Sequence, residues 1–77
     1  MDERFDLRAH RHELKLVRES GERALYENRG DVACPACDRP FERVLASERR
    51  TESLRPDRRV DLCVARESDR VLVFTHP

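Results

Sequence analysis

The feature that most constrains this chain is a Cys-Pro-Ala-Cys run at residues 34–37. Two thiolates three residues apart on a tight turn can face one ion, and the proline between them restricts the backbone. One further cysteine, Cys63, follows, and an odd number of cysteines argues against a disulfide framework. The run therefore predicts a zinc-binding knuckle.

The C-terminal segment supplies the remaining ligands of a four-coordinate zinc site. Residues 60–76 contain two β-branched, apolar runs on either side of a short polar turn, which predicts an antiparallel hairpin. If the turn centres between residues 68 and 69, Cys63 lies opposite Phe74, and His76 lies two residues further along the same face. We therefore predict a zinc ion bound by Cys34, Cys37, Cys63 and His76.

Two other histidines leave the fourth ligand open. His10 and His12 are two residues apart, so on a helix they point about 160° away from each other and do not chelate together. His10 is the better alternative if its side of the helix faces the sheet. Asp38 and Asp61 are further candidates, although structural zinc sites favour sulfur and nitrogen ligands.

The composition indicates that the fold needs a stabilising element besides its core, such as a bound metal ion. Only 38% of the 77 residues are apolar and 42% are charged, so the core offsets little of the entropy cost of folding. Domains of this size usually depend on disulfides, a metal or a partner chain. We expect one domain over residues 1–77, whose folding is coupled to metal binding. Three thiolates, a neutral imidazole and Zn²⁺ carry about −1 charge, which Arg39 and Arg43 would offset.

The N-terminal region has the pattern of a helix. Residues 4–19 contain neither glycine nor proline, and Gly21 follows as a stop signal. One apolar stripe of this helix would face the sheet. A second, nearly opposite stripe predicts an interface and is formed by Phe5, Ala9, His12 and Leu16. A basic stripe lies between the two and is formed by Arg4, Arg8, Arg11, Lys15 and Arg18.

Together these elements predict an α+β fold. The helix over residues 4–19 is followed by a small antiparallel, zinc-ribbon-like sheet. Strands are expected at residues 24–27 and 41–47, and the sheet ends with the hairpin over residues 60–76. Residues 48–59 are polar and rich in arginine, which is typical of a loop.

The sequence contains no motif that predicts an enzyme. It lacks a glycine-rich phosphate loop, and the pair His12-Glu13 lacks the second histidine of a metalloprotease helix. No apolar run reaches the roughly 18 residues that span a bilayer, and the charged N-terminus has no signal core. We expect a cytoplasmic, non-enzymatic protein with no membrane contact and no small-molecule substrate.

Three functions fit these patterns. The leading one is a small structural-zinc protein that binds a protein partner or a second copy of itself. The second is a nucleic-acid-binding regulator that uses the basic stripe, although the 16 basic and 16 acidic residues cancel. The third is a redox-responsive zinc switch, in which Cys34 and Cys37 release the metal on oxidation.

Four segments carry a resemblance that covers nearly the whole chain. They are His-Arg-His-Glu-Leu-Lys-Leu-Val-Arg at 10–18, Tyr-Glu-Asn-Arg at 26–29, Cys-Pro-Ala-Cys-Asp-Arg-Pro-Phe at 34–41, and 63–76 with its terminal Phe-Thr-His. The chain resembles short haloarchaeal proteins labelled "flagella cluster protein". That resemblance implies a genomic link to the archaellum and chemotaxis region.

Overall fold

The sheet is the whole of the regular structure in this computed structural model, which describes residues 5–53 and 59–76. Its five strands are all antiparallel to their neighbours, in the order β1-β2-β3-β5-β4. They are β1 (Leu14–Ser20), β2 (Arg23–Asn28), β3 (Arg43–Ser47), β4 (Asp61–Arg66) and β5 (Val71–His76). The described residues contain no helix, so the predicted α+β class is wrong and the fold is all-β. None of the described segments has a helix that is long and apolar enough to cross a membrane.

The helix predicted over residues 4–19 is the main error. Residues 7–13 form successive turns, and β1 begins at Leu14. The turns start at Asp6, whose Oδ1 accepts the backbone N–H groups of Arg8 and Ala9 at 3.0 and 3.2 Å. These two hydrogen bonds are those of a helix N-cap, but the residues that follow form only turns and β1 begins directly after them. The N-terminal segment therefore turns and then enters the sheet.

Gly21 does not stop a helix but reverses the chain between β1 and β2. Its φ is 57°, and the flanking residues Ser20 and Arg23 are paired across the hairpin. A left-handed glycine at the first position of a two-residue turn is typical of hairpins, because its twist matches that of the strands. A glycine at this position is compatible with both a helix end and a hairpin turn, so the residue type did not distinguish the two.

The two surface stripes expected on that helix do not form. In the interaction stripe, Phe5 is half-buried in the core, while Ala9, His12 and Leu16 are exposed. The described residues of the basic stripe are divided between the turns and β1: Arg8, Arg11, Lys15 and Arg18. Arg4 lies outside the described residues. Because the described side chains do not share a helix axis, they do not form the two stripes of a helix.

The predicted strands at residues 24–27 and 41–47 and the C-terminal hairpin are confirmed as β2, β3 and the β4–β5 pair. The hairpin register also agrees with the prediction, since Cys63 lies opposite Phe74. Residues 48–53 of the predicted loop belong to no strand, and residues 54–58 lie outside the part described. The C-terminal half of the fold could therefore be predicted from the sequence.

The main core cluster lies on one face of the sheet, while Leu45 and Val73, which pair with each other, are buried on the opposite face. Val44, Leu72 and Phe74 are fully buried in the main cluster, beneath two segments that cross its face, residues 5–13 and 30–41. Apolar burial of this kind provides about 25 cal/mol per Å². Aromatic contacts join the layers: the Phe41 and Phe74 ring centroids are 4.9 Å apart, and Phe5 lies 5.3 Å from Phe74. The metal-binding candidates lie at the edge of this aromatic cluster.

A side-chain clamp fastens the N-terminal segment over the core. Glu67 accepts the backbone N–H of Phe5 at 2.8 Å, and Arg70 donates to the Phe5 carbonyl oxygen at 2.9 Å. Glu67 and Arg70 also pair with each other, and both side chains are largely buried. The turn of the C-terminal hairpin therefore holds the other end of the chain.

Candidate metal centre

The knuckle is a loop between β2 and β3 that closes on itself. The Cys34 N–H donates to the Arg39 carbonyl oxygen at 2.8 Å, and the Asp38 N–H donates to the Cys34 carbonyl oxygen at 2.7 Å. Asp38 has a φ of 65°, a left-handed conformation that aspartate tolerates better than most residues. These bonds curl residues 34–39 so that both cysteines face the same point.

Asn28 fixes the base of this loop. Its side-chain amide donates to the carbonyl oxygens of Val32 and Phe41 at 3.0 and 2.8 Å. Its Oδ1 accepts the Val32 N–H at 3.1 Å. One side chain thus joins the strand end to both ends of the loop, which places the knuckle over the sheet.

The other two candidate ligands come from the C-terminal hairpin. Cys63 lies in β4 opposite Phe74, and His76 ends β5 opposite Asp61. Residues two apart on a strand share a face, so Cys63 and His76 both lie on the face that the knuckle covers. His76 and Cys34 are buried, whereas Cys37 and Cys63 are half-buried.

The structure brings the four predicted ligands into one group. The sulfur and nitrogen atoms of Cys34, Cys37, Cys63 and His76 all lie within 4.8 Å of one another, close enough to bind a metal ion. Cys37 Sγ is 3.5 Å from His76 Nε2. In a tetrahedral zinc site, with Zn–S of about 2.3 Å and Zn–N of about 2.0–2.1 Å, that separation is about 3.5 Å. The donor set and the separation between Cys37 and His76 therefore fit zinc coordination.

The imidazole of His76 is oriented by the knuckle itself. Its Nδ1 lies 3.1 Å from the carbonyl oxygen of Pro40. A carbonyl oxygen only accepts hydrogen bonds, so Nδ1 carries the proton and the Nε2 lone pair faces the sulfurs. Metal-binding histidines usually have such an outer partner, which fixes the tautomer and the ring plane.

The thiols differ in their electrostatic environments. The pKa of Cys37 is lowered, first by the backbone N–H of Arg39 and also by the Arg39 guanidinium, against the opposing effect of burial. Burial raises the pKa of Cys63 to about 11, and the hydrogen bonds that its thiol donates to Cys37 and Cys34 add to the shift. The pKa of Arg39 is raised in turn by the Cys37 sulfur. Arg39 thus supplies positive charge beside the sulfurs, as expected.

The alternative ligands lie elsewhere. The His10 ring packs 5.3 Å from the Phe5 ring, and His12 is exposed. Neither Asp38 nor Asp61 joins the group of four. Arg43, expected to offset the charge of the site, pairs with Thr75 and so lies on the opposite face of the sheet from Phe74.

Sequence analysis did not identify two residues that support the candidate metal centre. Pro40 orients His76 through a backbone carbonyl, and a main-chain acceptor leaves no signal in residue type. Asn28 was assigned to a turn, and only the assembled loop shows that its amide holds both loop ends. The position of Asn28 at a strand end, four residues before Val32, is the one local hint of that role.

Comparison with known proteins gives a family. A family of unknown function, DUF7385, matches residues 6–77, which include the sheet and all four residues of the candidate metal centre. No curated protein and no solved structure matches the chain. The chain therefore belongs to DUF7385, a family of unknown function.

Proposed function

We propose that Cys34, Cys37, Cys63 and His76 hold one zinc ion as a structural centre, and that the domain acts by binding another protein chain. The observation that carries the metal assignment is the convergence of three sulfurs and one imidazole nitrogen within 4.8 Å. Three thiolates and one imidazole are ligands that zinc favours in structural sites. With four protein ligands, no coordination position is open for a substrate, so the centre is not catalytic.

The proposed zinc joins parts of the chain that are distant in sequence. Cys34 and Cys37 belong to the β2–β3 loop, whereas Cys63 and His76 lie on the two strands of the C-terminal hairpin. Zinc binding in small domains provides roughly 10–16 kcal/mol, comparable to the entire stability of an ordinary domain. A cytoplasmic setting suits this role, because thiols stay reduced there.

The binding role is supported by apolar side chains at the sheet edges. Among the described residues, four large apolar side chains are about half exposed: Leu16, Val17, Leu62 and Val64. Two lie on each edge strand, β1 and β4, and the outer backbone groups of an edge strand are those that can pair with another chain. The resemblance to haloarchaeal proteins would place such a partner in motility or chemotaxis, and that link stays a prediction.

Elemental analysis of the purified protein tests the metal assignment. About one zinc per chain is expected, and Cys63→Ala should lose the metal together with the cooperative unfolding transition. His12→Ala is the matched control, because His12 is an exposed histidine outside the group. A wild type that folds cooperatively without metal would overturn the proposal.

A redox-responsive switch is a second candidate, favoured by the half-buried state of Cys37 and its contact with Arg39. Hydrogen peroxide would take two electrons from two metal-bound thiolates, forming one disulfide and, with two protons, two water molecules. The zinc ion would be released. Peroxide titration with a chromogenic zinc chelator tests this. Stoichiometric release that a thiol reductant reverses supports the switch, and retention of zinc at excess peroxide rejects it.

A further inference from the structure

The three cysteines of the candidate metal centre differ in how far solvent reaches them. Cys34 is only 1% exposed and belongs to the buried core cluster, whereas Cys37 and Cys63 are half-buried and pack against that cluster. Oxidants select cysteines by their thiolate character and their exposure. A polar oxidant therefore reaches Cys37 and Cys63 from solvent, and the core separates it from Cys34.

The backbone also holds Cys34 more firmly than it holds Cys63. The Cys34 N–H donates to the Arg39 carbonyl oxygen, and the Cys34 carbonyl oxygen accepts the Asp38 N–H. Cys63 lies on β4, which pairs with β5 and ends the sheet. Because the outer backbone groups of an edge strand are not held by a neighbouring strand, Cys63 can shift toward another sulfur at lower cost than Cys34.

The sulfurs of Cys37 and Cys63 are already close together. They belong to the group of ligand atoms that lie within 4.8 Å of one another, and the Cys63 thiol donates a hydrogen bond to Cys37. A disulfide requires a separation of about 2.05 Å between the sulfurs. Rotation about the Cα–Cβ bonds, with a small shift of β4, closes the remaining distance.

We propose that hydrogen peroxide oxidises the centre by joining Cys37 to Cys63, and that Cys34 keeps its thiol. The inference rests on the proposed function, because the reacting thiolates are zinc ligands. The Cys37 thiolate attacks one peroxide oxygen, the O–O bond breaks, and with one proton the products are a sulfenic acid and water. The Cys63 thiolate then attacks the Cys37 sulfur, the S–O bond breaks, and the oxygen leaves as water with a second proton. The zinc ion loses two of its four ligands and is released.

Arg39 is placed to assist the first step. Its guanidinium forms a hydrogen bond with the Cys37 sulfur. A cation at this position stabilises the negative charge that develops on the departing peroxide oxygen. This contact favours Cys37 as the sulfur that peroxide attacks first.

The choice of pair decides what happens to the fold. A bond between Cys34 and Cys37 would lie within the β2–β3 loop and leave the hairpin unconnected. A bond between Cys37 and Cys63 joins that loop to β4, and the proposed zinc joins the same two parts. Because a disulfide restricts the unfolded chain, the oxidised domain stays folded after the metal has left.

Peptide mapping of the zinc-loaded wild-type chain identifies the pair. Hydrogen peroxide is added with a chromogenic zinc chelator, and the remaining thiol is alkylated in denaturant before digestion with trypsin. Since trypsin cleaves after arginine but not before proline, Cys34 and Cys37 stay together in peptide 30–43, and Cys63 lies in peptide 60–66. The expected product is a disulfide between the two peptides, with the alkyl group on Cys34, formed in step with zinc release.

The other products reject the proposed pair. A disulfide within peptide 30–43 leaves the alkyl group on Cys63, and a bond from Cys34 to Cys63 leaves it on Cys37. Zinc retained at excess peroxide also overturns the inference. Zinc content before oxidation separates the two failures. A folded chain that purifies without zinc overturns the proposed function, whereas a zinc-loaded chain that forms another disulfide overturns this inference alone.

The same chain oxidised in denaturant is the matched control. Without the fold, the short loop between Cys34 and Cys37 closes most readily, so the disulfide within peptide 30–43 should dominate. Thermal melts of the folded, oxidised chain in the presence of chelator test the consequence for stability. They should show a cooperative transition that a thiol reductant abolishes. Loss of that transition before the reductant is added would show that the disulfide does not replace the zinc link.

Discussion

His76 Nδ1 lies 3.1 Å from the carbonyl oxygen of Pro40, while Nε2 of the same ring lies 3.5 Å from Cys37 Sγ. The knuckle therefore contributes more than two thiols. It also holds the histidine from the end of β5 in the tautomer whose free lone pair faces those thiols. This hydrogen bond links the two halves of the candidate metal centre.

Replacing His76 with alanine should weaken zinc binding by more than the 10–100-fold that is typical of losing an outer-shell partner, because a direct ligand is removed. Competition with a chelator of known affinity measures the change. His12→Ala should bind like the wild type. Equal zinc affinity in His76→Ala and wild type would exclude His76 as a ligand.

Removing the metal should unfold the domain or lower its melting temperature steeply. The described core is thin, with only ten buried apolar residues, and the proposed zinc would join the knuckle to the hairpin. Thermal melts followed by circular dichroism, with and without a chelator, measure the effect. Restoring zinc should restore the transition. Identical transitions in both conditions would show that the metal does not stabilise the fold.

Asn28→Ala should destabilise the domain by about 1–3 kcal/mol, because the Val32 and Phe41 carbonyl oxygens lose their donor and are left without that partner. Urea unfolding of the zinc-loaded protein gives this free energy. Arg29→Ala is the neighbouring control, since its pair with Glu27 is exposed and such pairs contribute little. If the two variants were equally stable, Asn28 would not be fixing the loop.

Gly21→Ala should cost about 1–2 kcal/mol of unfolding free energy, because the φ of 57° is unfavourable for a residue with a Cβ atom. No atom lies within 4 Å of an added Cβ, so the cost is conformational rather than steric. Gly21→Asn should cost less, since asparagine tolerates this region. Chemical denaturation of both variants provides the comparison, and an equal cost would contradict this explanation.

Zinc binding should release protons and weaken as the pH falls. Burial raises the pKa of Cys63 to about 11, so the metal-free thiol is protonated at neutral pH and zinc must displace that proton. The free state thus binds more protons than the zinc-bound state, and acid favours the free state. Calorimetry in two buffers of different protonation enthalpy measures the release. A binding enthalpy that does not depend on the buffer would contradict the prediction.

The C-terminal half was predictable because its signals are local. Two β-branched runs around a short polar turn define a hairpin, and the turn length sets the register that places Cys63 opposite Phe74. That register put His76 on the face of Cys63 without knowledge of the rest of the fold. The Cys-x-x-Cys spacing likewise carries its own geometry.

The N-terminal half was not predictable for a physical reason. Leu14 and Leu16 face one side of β1 and Lys15 the other, but the bulge at Val17 breaks this alternation after three residues. A strand of period two interrupted in this way resembles a helix when its apolar positions are counted. Residues 14–20 form a strand because they pair with β2, and a local sequence pattern does not contain that pairing. The clamp between Glu67, Arg70 and Phe5 also depends on contacts more than 60 residues apart.

X-ray absorption at the zinc edge of the purified protein tests the central claim most directly, because it reports the atoms bound to the metal. The predicted spectrum has three sulfur neighbours at about 2.3 Å and one nitrogen neighbour at about 2.0–2.1 Å. Cys63→Ala should lose one of the sulfurs, or the metal altogether. A shell of oxygen and nitrogen atoms alone, or one with two sulfurs in the wild type, would contradict the assignment of Cys34, Cys37, Cys63 and His76 as the ligands.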